Sequence, residues 1–233
     1  MLKLLKIALS IVLLSFINCS TQEMVIEQSL PNKKTVKILS LGDSYTIGQS
    51  VCNTCKFPEQ LKDSLIRNKP SNYSFSVKVI AQTGWTTTNL ISAIANENPA
   101  TDYDFVTLLI GVNNQYQNKP FSLYETEFPT LVNKAIQLSN GNKSNVIIIS
   151  IPDYAYTHFG NGNTNISSQI DTYNTFAENY ANQNNITFIN ITDITRLGLQ
   201  QPNLVANDGL HPSEIAYSKF VTRILPIALQ KIL

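Results

Sequence analysis

The sequence predicts an α/β domain, a flavodoxin-like three-layer sandwich with a five-stranded parallel sheet and helices on both faces. Strand-like and helix-like segments alternate five times along the chain, an order typical of parallel sheets joined by right-handed crossovers. The strand-like segments are short apolar runs, as expected where both faces of a sheet are covered. A chain of 233 residues with 43% hydrophobic content is long enough for one domain with a sizeable core.

Five apolar runs are predicted to be the strands, because each has the length of a buried strand and most are followed by a glycine or a polar turn. The run at 146–149, Val-Ile-Ile-Ile, predicts an interior strand. The five runs are 36–41, 75–80, 105–110, 146–149 and 186–189.

Helical spacing of apolar residues predicts five helices. A proline lies near the start of the first one, and threonines are available to cap the second. Ser122 and Glu125 have the spacing of a capping box that would begin the third. The predicted helices are 58–68, 88–95, 122–138, 168–183 and 213–232.

The first 19 residues differ from the rest of the chain. Two lysines precede an apolar run at 7–17, which is too short to span a bilayer and fits the core of a signal peptide. The run leads to Cys19 and then to polar residues, which resembles a bacterial lipoprotein signal whose cysteine is lipidated. Asn18 and Phe16 depart from the usual pattern of such signals, and an ordinary export signal is the alternative. We therefore expect an exported protein of the cell envelope, with Cys19 as its lipid anchor.

Residues 20–34 are polar and predict a tether, which leaves 35–233 as the folded domain. The formal net charge is +1 and charged residues make up 14% of the chain. Such a balance gives no strong field for an anionic polymer or lipid surface. We therefore expect no nucleic-acid partner, and contact with a membrane only through the N-terminal anchor.

Four polar stretches are candidates for a functional site: 42–45 (Gly-Asp-Ser-Tyr), 82–85 (Gln-Thr-Gly-Trp), 111–114 (Gly-Val-Asn-Asn) and 208–212 (Asp-Gly-Leu-His-Pro). Each comes after a strand-like run. In an open α/β sheet ligands bind outside the carboxyl ends of the strands, so segments far apart in sequence can meet in one crevice there. This arrangement favours an enzyme.

The residue types in these stretches suit ester cleavage. Ser44 is a candidate nucleophile, and such a hydroxyl needs a base to take its proton. His211 is the natural base, and Asp208 could accept from its Nδ1–H and leave Nε2 for the serine. The backbone N–H groups of Ser44 and Gly84 and the amide of Asn113 could form an oxyanion hole. Taken singly, each residue also fits a turn, a cap or a structural histidine.

Together these stretches resemble the four conserved blocks of the SGNH hydrolase superfamily, also called GDSL esterases and lipases. Residues 42–44 match the nucleophile block, Gly84 and Asn113 match the second and third blocks, and Asp208 with His211 matches the last. The resemblance implies a Ser–His–Asp hydrolase that acts on small-molecule esters without a metal or cofactor. Acetylated carbohydrate, lysophospholipid and other short acyl esters all remain open as substrates.

Two residues depart from the pattern of that family. Asn114 stands where an aspartate is usual, and Tyr45 replaces the leucine of the Gly-Asp-Ser-Leu form. Neither position carries a group assigned to bond chemistry. The resemblance therefore implies that activity is kept and that the shape of the pocket differs.

Cys52 and Cys55 form a C-x-x-C pair before a helix, the position of the redox pair in thioredoxin-like proteins. An exported thiol–disulfide oxidoreductase is therefore an alternative function, and a structural disulfide between the two is the simpler interpretation. No second pair supplies the four ligands of a zinc site. A catalytically silent, lipid-tethered binding protein that keeps the fold is a third possibility.

Several loop residues near predicted strand ends have open roles. The aromatic residues among them could line an acyl or sugar pocket, or pack against the rim of the domain. His158 is expected at the surface or rim, and Asp43 is expected to organise the turn before Ser44. The loop aromatics are Trp85, Tyr116, Tyr154 and Tyr156.

Overall fold

The computed structural model describes residues 33–69 and 71–232. The predicted signal segment 1–19, with its candidate lipidation site Cys19, lies outside the described residues, as does nearly all of the predicted tether 20–34. Within the two described ranges, no helix combines the length and the apolar character that crossing a membrane requires.

Five strands form one parallel sheet, and helices lie on both of its sides, which confirms the predicted fold class. The strand order is β2-β1-β3-β4-β5. All five predicted strands are present with small shifts at their ends, and β4 is an interior strand as predicted. Their bounds are β1 Lys34–Gly42, β2 Tyr73–Ala81, β3 Phe105–Leu109, β4 Val146–Ile149 and β5 Thr187–Ile189.

The strand order reverses direction next to β1. The chain passes from β1 to β2 on one side, then returns across β1 to β3 and continues to β4 and β5 on the other. Connections that leave in opposite directions must cross on opposite faces when each is right-handed. The segments that follow β1 and β3 therefore diverge, and a crevice opens between them at the carboxyl ends of the strands.

The described ranges contain eight α-helices, five long and three short. α2 packs against α8. α5 packs between α3 and α6 and contacts both. Every residue of β3 and β4 is buried between these layers. The helices are α1 Ser44–Ile47, α2 Phe57–Asn68, α3 Thr87–Glu97, α4 Val112–Tyr116, α5 Phe121–Leu138, α6 Thr164–Gln183, α7 Thr192–Thr195 and α8 Glu214–Ile232.

The predicted capping box at the start of α5 is wrong. The helix begins at Phe121, and its N-cap is Pro120, which makes no side-chain capping bond. The ring of Phe121 packs edge-on against that of Tyr173 in α6, with centroids 5.0 Å apart. Partial burial of an aromatic side chain thus accompanies the start of this helix, where sequence spacing suggested a polar cap.

Two other helix starts differ from the sequence-based prediction. α6 begins at Thr164, four residues early, because the Asn163 side chain accepts a hydrogen bond from the Asn165 N–H at 3.0 Å and caps the helix there. α3 has Thr86 as its N-cap, and Asn89 accepts from the Thr86 N–H at 3.0 Å. A threonine therefore starts α3, as the sequence indicated.

Candidate active site

The first stretch, 42–45, turns the chain from β1 into α1 beside β3. A Cβ atom on Gly42 would lie 2.2 Å from Thr46 Oγ1 and 2.4 Å from the Leu109 carbonyl oxygen. Any larger residue would therefore push α1 away from the end of β3. Ser44, the first residue of α1, is 4% exposed and lies at the mouth of the crevice between β1 and β3.

Asp43 caps the short helix that carries Ser44. Its Oδ1 accepts from the Tyr45 N–H at 3.0 Å, and the side chain is completely buried. Oδ2 has no hydrogen-bond partner among the described residues. Burial raises the pKa of Asp43 to about 7, against which the backbone hydrogen bond from Tyr45 acts only in part. The Asp43 side chain therefore organises the turn, although one of its two oxygens has no hydrogen-bond donor among the described residues.

Asp208 and His211 form a tight pair before α8. His211 Nδ1 lies 2.6 Å from Asp208 Oδ2, and Oδ1 accepts from the backbone N–H groups of Leu210 at 2.9 Å and His211 at 3.0 Å. Oδ2 also accepts from the Ser50 hydroxyl at 2.5 Å. Burial acts to raise the pKa of Asp208, but the bonds from Ser50, His211 and the backbone outweigh it and hold the pKa well below its usual range. This carboxylate is ionised at neutral pH and holds the imidazole.

Gly84 and Asn113 are held side by side by bonds between the loop that holds Gly84 and the segment formed by α4 and its following turn. Gln117 in the turn after α4 donates to the Gly84 carbonyl at 2.9 Å, and Asn113 Nδ2 donates to the Trp85 carbonyl at 3.0 Å. Gly84 has φ +84°, but a Cβ there would meet nothing within 4 Å. The left-handed backbone, not crowding, therefore calls for glycine at this position. One N–H of the Asn113 amide remains for a ligand.

One cavity of about 180 Å³ is lined by four of these residues together: Ser44, Gly84, Asn113 and His211. The imidazole near the carboxy terminus of the chain thus reaches the crevice that holds the hydroxyl near the amino terminus. Within the described ranges no hydrogen bond joins the Ser44 side chain to His211. Bonds of this kind often shorten only when a substrate is bound. Asp208 does not line the cavity itself and is connected to it by its contact with His211.

Aromatic side chains form one wall of this cavity. Tyr116 and Tyr154 line it, and their rings meet edge-on with centroids 6.0 Å apart. Phe159 packs beside both, and it is 54% exposed, as Tyr116 is 53% exposed. Tyr154 is fixed by a hydrogen bond from its hydroxyl to Gln115 Oε1 at 2.8 Å. Tyr116 and Phe159 present an apolar rim to solvent beside the cavity.

The remaining candidates do not line the cavity. Trp85 is half-buried against the core and Tyr156 is half-buried. His158 is exposed and lies over Gly209, whose Cβ position would be 3.5 Å from His158 Cβ. It thus packs on the loop that carries His211.

The cysteine pair lies outside the cavity that Ser44 and His211 line. Cys52 and Cys55 are joined by a disulfide of 2.06 Å and line an open depression together with the loop at 202–207. Among the described residues no group of three or more histidine, cysteine, aspartate or glutamate side chains is placed to hold a metal ion.

Asn114 has a structural role that an aspartate could not fill in the same way. Its Oδ1 accepts from the Thr87 N–H at 2.9 Å, and its Nδ2 donates to Thr87 Oγ1 at 2.7 Å. The Thr87 hydroxyl in turn donates to Glu127. Because that hydroxyl proton is used, Thr87 Oγ1 must accept, and the amide supplies the donor. The substitution noted in the sequence therefore completes a buried network between α3, α4 and α5.

Sequence reasoning missed Ser50 as a residue of the site. It lies in the loop after α1, 158 residues from Asp208. A serine in a polar loop carries no signal of its own, and only the fold brings the two together.

Comparison with known proteins shows a family and a shared fold. The model of the GDSL-like lipase/acylhydrolase family matches residues 40–219. A search of curated proteins finds no match. Similar solved structures include a lipolytic protein of the G-D-S-L family from Veillonella parvula DSM 2008, at 20% identity and a TM-score of 0.61, covering 84% of this chain and 97% of that one.

Two further structures are similar to the chain. The lipase/acylhydrolase from Enterococcus faecalis has 18% identity and a TM-score of 0.64, and the match covers 82% of this chain and 94% of that one. An acetyl xylan esterase from Geobacillus stearothermophilus has 18% identity and a TM-score of 0.63, with 85% and 97% covered. At these identities the structures show a shared fold.

Burial of Asp43 predicts a pH dependence of stability. Since its pKa rises from 3.8 to about 7 on folding, the folded protein binds more protons than the unfolded chain between these values. This group's contribution to the free energy of unfolding should therefore fall by a few kcal/mol as pH rises from about 4 to about 7. Asp43→Asn keeps an oxygen for the Tyr45 N–H and should flatten that slope. Urea unfolding from pH 4.5 to 7.5 measures it.

A wild-type slope in that variant would contradict the prediction. Asp208 does not interfere, because a lowered pKa removes stability only as pH falls below the ordinary value of 3.8.

The network at Asn114 predicts a loss of stability on a nearly isosteric change. Asn114→Asp removes the donor to Thr87 Oγ1 and places a carboxylate near Glu127, which should cost about 1–3 kcal/mol of unfolding free energy. Guanidinium unfolding at pH 7.5 measures the loss. Asn133→Asp, on the exposed side of α5, is the matched control and should be close to neutral. Equal stability of the two variants would contradict the role given to Asn114.

Proposed function

Because the chain belongs to the GDSL-like lipase/acylhydrolase family, we propose that it is a serine esterase that cleaves carboxylic esters of short acyl groups. The observation that carries the proposal is the cavity of about 180 Å³ that Ser44, Gly84, Asn113 and His211 line together. The carboxylate of Asp208, 2.6 Å from His211 Nδ1, completes the set of groups that a serine hydrolase needs.

In the proposed acylation step His211 acts as the general base. Asp208 accepts from Nδ1–H, so Nε2 carries the free lone pair and takes the proton of Ser44. Ser44 Oγ attacks the ester carbonyl carbon. The carbonyl oxygen becomes negative and is stabilised by the N–H groups of Ser44 and Gly84 and the amide of Asn113. The C–O bond then breaks, and the alcohol leaves with the proton from Nε2.

Water completes the reaction in the same site. His211 takes a proton from water, whose oxygen attacks the acyl carbon bound to Ser44. The second tetrahedral species collapses, the acid leaves, and Ser44 regains its proton from His211. The Asp208 carboxylate stays ionised throughout, because its hydrogen bonds hold its pKa well below the usual range.

The size of the cavity supports a short acyl group. Its volume of about 180 Å³ is below the roughly 300–1,000 Å³ of sites that enclose drug-sized ligands. Tyr45, Val112 and Leu210 contribute apolar side chains to its wall, which suits a small hydrocarbon group. An acetyl xylan esterase is among the proteins of similar fold. The exposed rings of Tyr116 and Phe159 are placed to contact the part of the ester that extends beyond the cavity.

Export to the cell envelope, with a lipid on Cys19, is proposed from the sequence of residues 1–19 alone. In this proposal the membrane is a site of attachment, and the ester substrate is a small molecule.

Ser44→Ala should abolish hydrolysis of p-nitrophenyl acetate, with a loss of roughly three orders of magnitude or more in kcat. The protein should stay folded, because the change removes one oxygen at the edge of the cavity. Ser144→Ala, at an exposed site outside the cavity, is the control and should keep wild-type activity. A fluorophosphonate should label wild-type Ser44 and not the variant. Full activity of Ser44→Ala would refute the nucleophile, and an unlabelled wild type would favour a silent binding protein.

The small cavity predicts that kcat/KM falls by at least about tenfold between acetyl and octanoyl esters, because longer chains cannot be enclosed. Val112→Ala enlarges the cavity and should shift the preference toward longer chains. Val221→Ala, which truncates an equally buried valine in α8, should lower stability without changing the preference. A preference for long chains in the wild type would overturn the short-acyl assignment.

A further inference from the structure

The hydroxyl of Ser50 lies 2.5 Å from Asp208 Oδ2, the oxygen that is also 2.6 Å from His211 Nδ1. We propose that Ser50 is a positioning residue. Its hydroxyl holds this carboxylate oxygen in place against the imidazole and, by donating a hydrogen bond, offsets part of the negative charge on that oxygen. The proposal rests on the proposed function, since it deepens the role of the Asp208–His211 pair.

The backbone holds Ser50 toward Asp208. Gly48 ends α1 in the left-handed region at φ +80°, and its N–H donates to the Ser44 carbonyl at 3.1 Å. The Gln49 N–H donates to the same carbonyl at 3.0 Å. Ser50 itself has φ +67°, a conformation that non-glycine residues adopt with strain. The loop that presents its hydroxyl is therefore anchored to the helix that carries the candidate nucleophile.

The far end of this loop is anchored to the segment that carries His211. A disulfide joins Cys52, two residues after Ser50, to Cys55. Gln60 in α2 donates both to the Cys55 carbonyl at 2.5 Å and to the Glu214 carbonyl at 3.1 Å, three residues after His211. The segments that carry Ser50 and Asp208 are thus also joined close to their own bond by the two hydrogen bonds that Gln60 donates.

The bond changes what Asp208 can do to the imidazole. Oδ1 is already saturated by the N–H groups of Leu210 and His211, so Ser50 supplies the second donor of Oδ2. Without that hydroxyl, His211 would be the one protein donor left to Oδ2, and the carboxylate charge would stabilise the imidazolium more strongly. The carboxylate could also turn about its Oδ1 anchor. We therefore expect a slower enzyme whose His211 is protonated at higher pH.

The other titratable groups around the pair remain the same in such a comparison. Burial raises the pKa of both Tyr45 and Tyr217, so these phenols stay neutral at every pH at which the enzyme would be assayed. The ring of Tyr45 lies 5.4 Å from that of His211. Burial raises the pKa of Asp43 to about 7, and the His158 side chain packs against Gly209 in the loop that carries Asp208. Glu214 begins α8. None of these groups is altered by a change at Ser50.

Ser50→Gly tests the proposal, because glycine adopts the left-handed backbone without strain and the change removes the hydroxymethyl side chain that donates to Asp208. With p-nitrophenyl acetate, kcat should fall by roughly tenfold at unchanged KM, as expected for one lost bond to a charged group. The acidic limb of kcat/KM should move to higher pH, while the melting temperature changes little, because relief of the left-handed backbone strain offsets the lost bond. Asn140→Gly, another exposed left-handed position, should change neither the rate nor the limb.

An acidic limb that stays in place overturns the proposal, whether or not kcat falls, and so does a limb that moves to lower pH. The pKa of His211 is also measured without turnover, by NMR titration of its imidazole in Ser44→Ala and in Ser44→Ala/Ser50→Gly. The chain has two histidines, so the signal is assigned with one His158→Gln variant. A raised pKa there supports Ser50 even if the wild type cleaves no ester, and an equal pKa refutes it even if the esterase is confirmed.

Discussion

β1 pairs with β2 on one side and with β3 on the other, so the chain leaves the ends of β1 and β3 in opposite directions. Right-handed connections then have to diverge, and the space between them cannot be filled by either. The turn at 42–45 and the turn at 111–114 border this space because they are the segments that diverge. The need for glycine at position 42, where a Cβ would meet Leu109 of β3 at 2.4 Å, follows from the same closeness.

Two aspartates near this crevice have carboxyl groups whose pKa values are shifted in opposite directions by their surroundings. Asp43 is completely buried with one oxygen short of a donor, and its pKa is raised to about 7. Asp208 is partly exposed, receives four hydrogen bonds, and stays ionised. A carboxylate that must stabilise an imidazolium needs a fixed negative charge, so Asp208 suits that task and Asp43 does not.

The strands could be predicted from sequence because burial on both faces leaves a continuous apolar run, as at 146–149. The four polar stretches could be predicted because they follow such runs or match a known pattern. The start of α5 could not, since no polar cap marks it and its first residue, Phe121, packs against Tyr173 of another helix. Neither could Ser50, whose partner is 158 residues away, because no local pattern specifies a contact made by tertiary packing.

The proposed catalytic residues come from the two ends of the domain, so their geometry depends on what joins those ends. α2 follows the nucleophile loop and packs against α8, which follows His211. That helix pair sets the distance between the two segments, but packing of apolar side chains alone leaves room for small sliding motions. Gln60 and Ser50 bridge the same segments with directional bonds at the point where the imidazole is held. A fold that brings Ser44 and His211 together by layer packing therefore gains its finer alignment from the loop between α1 and α2, which the motif residues themselves do not include.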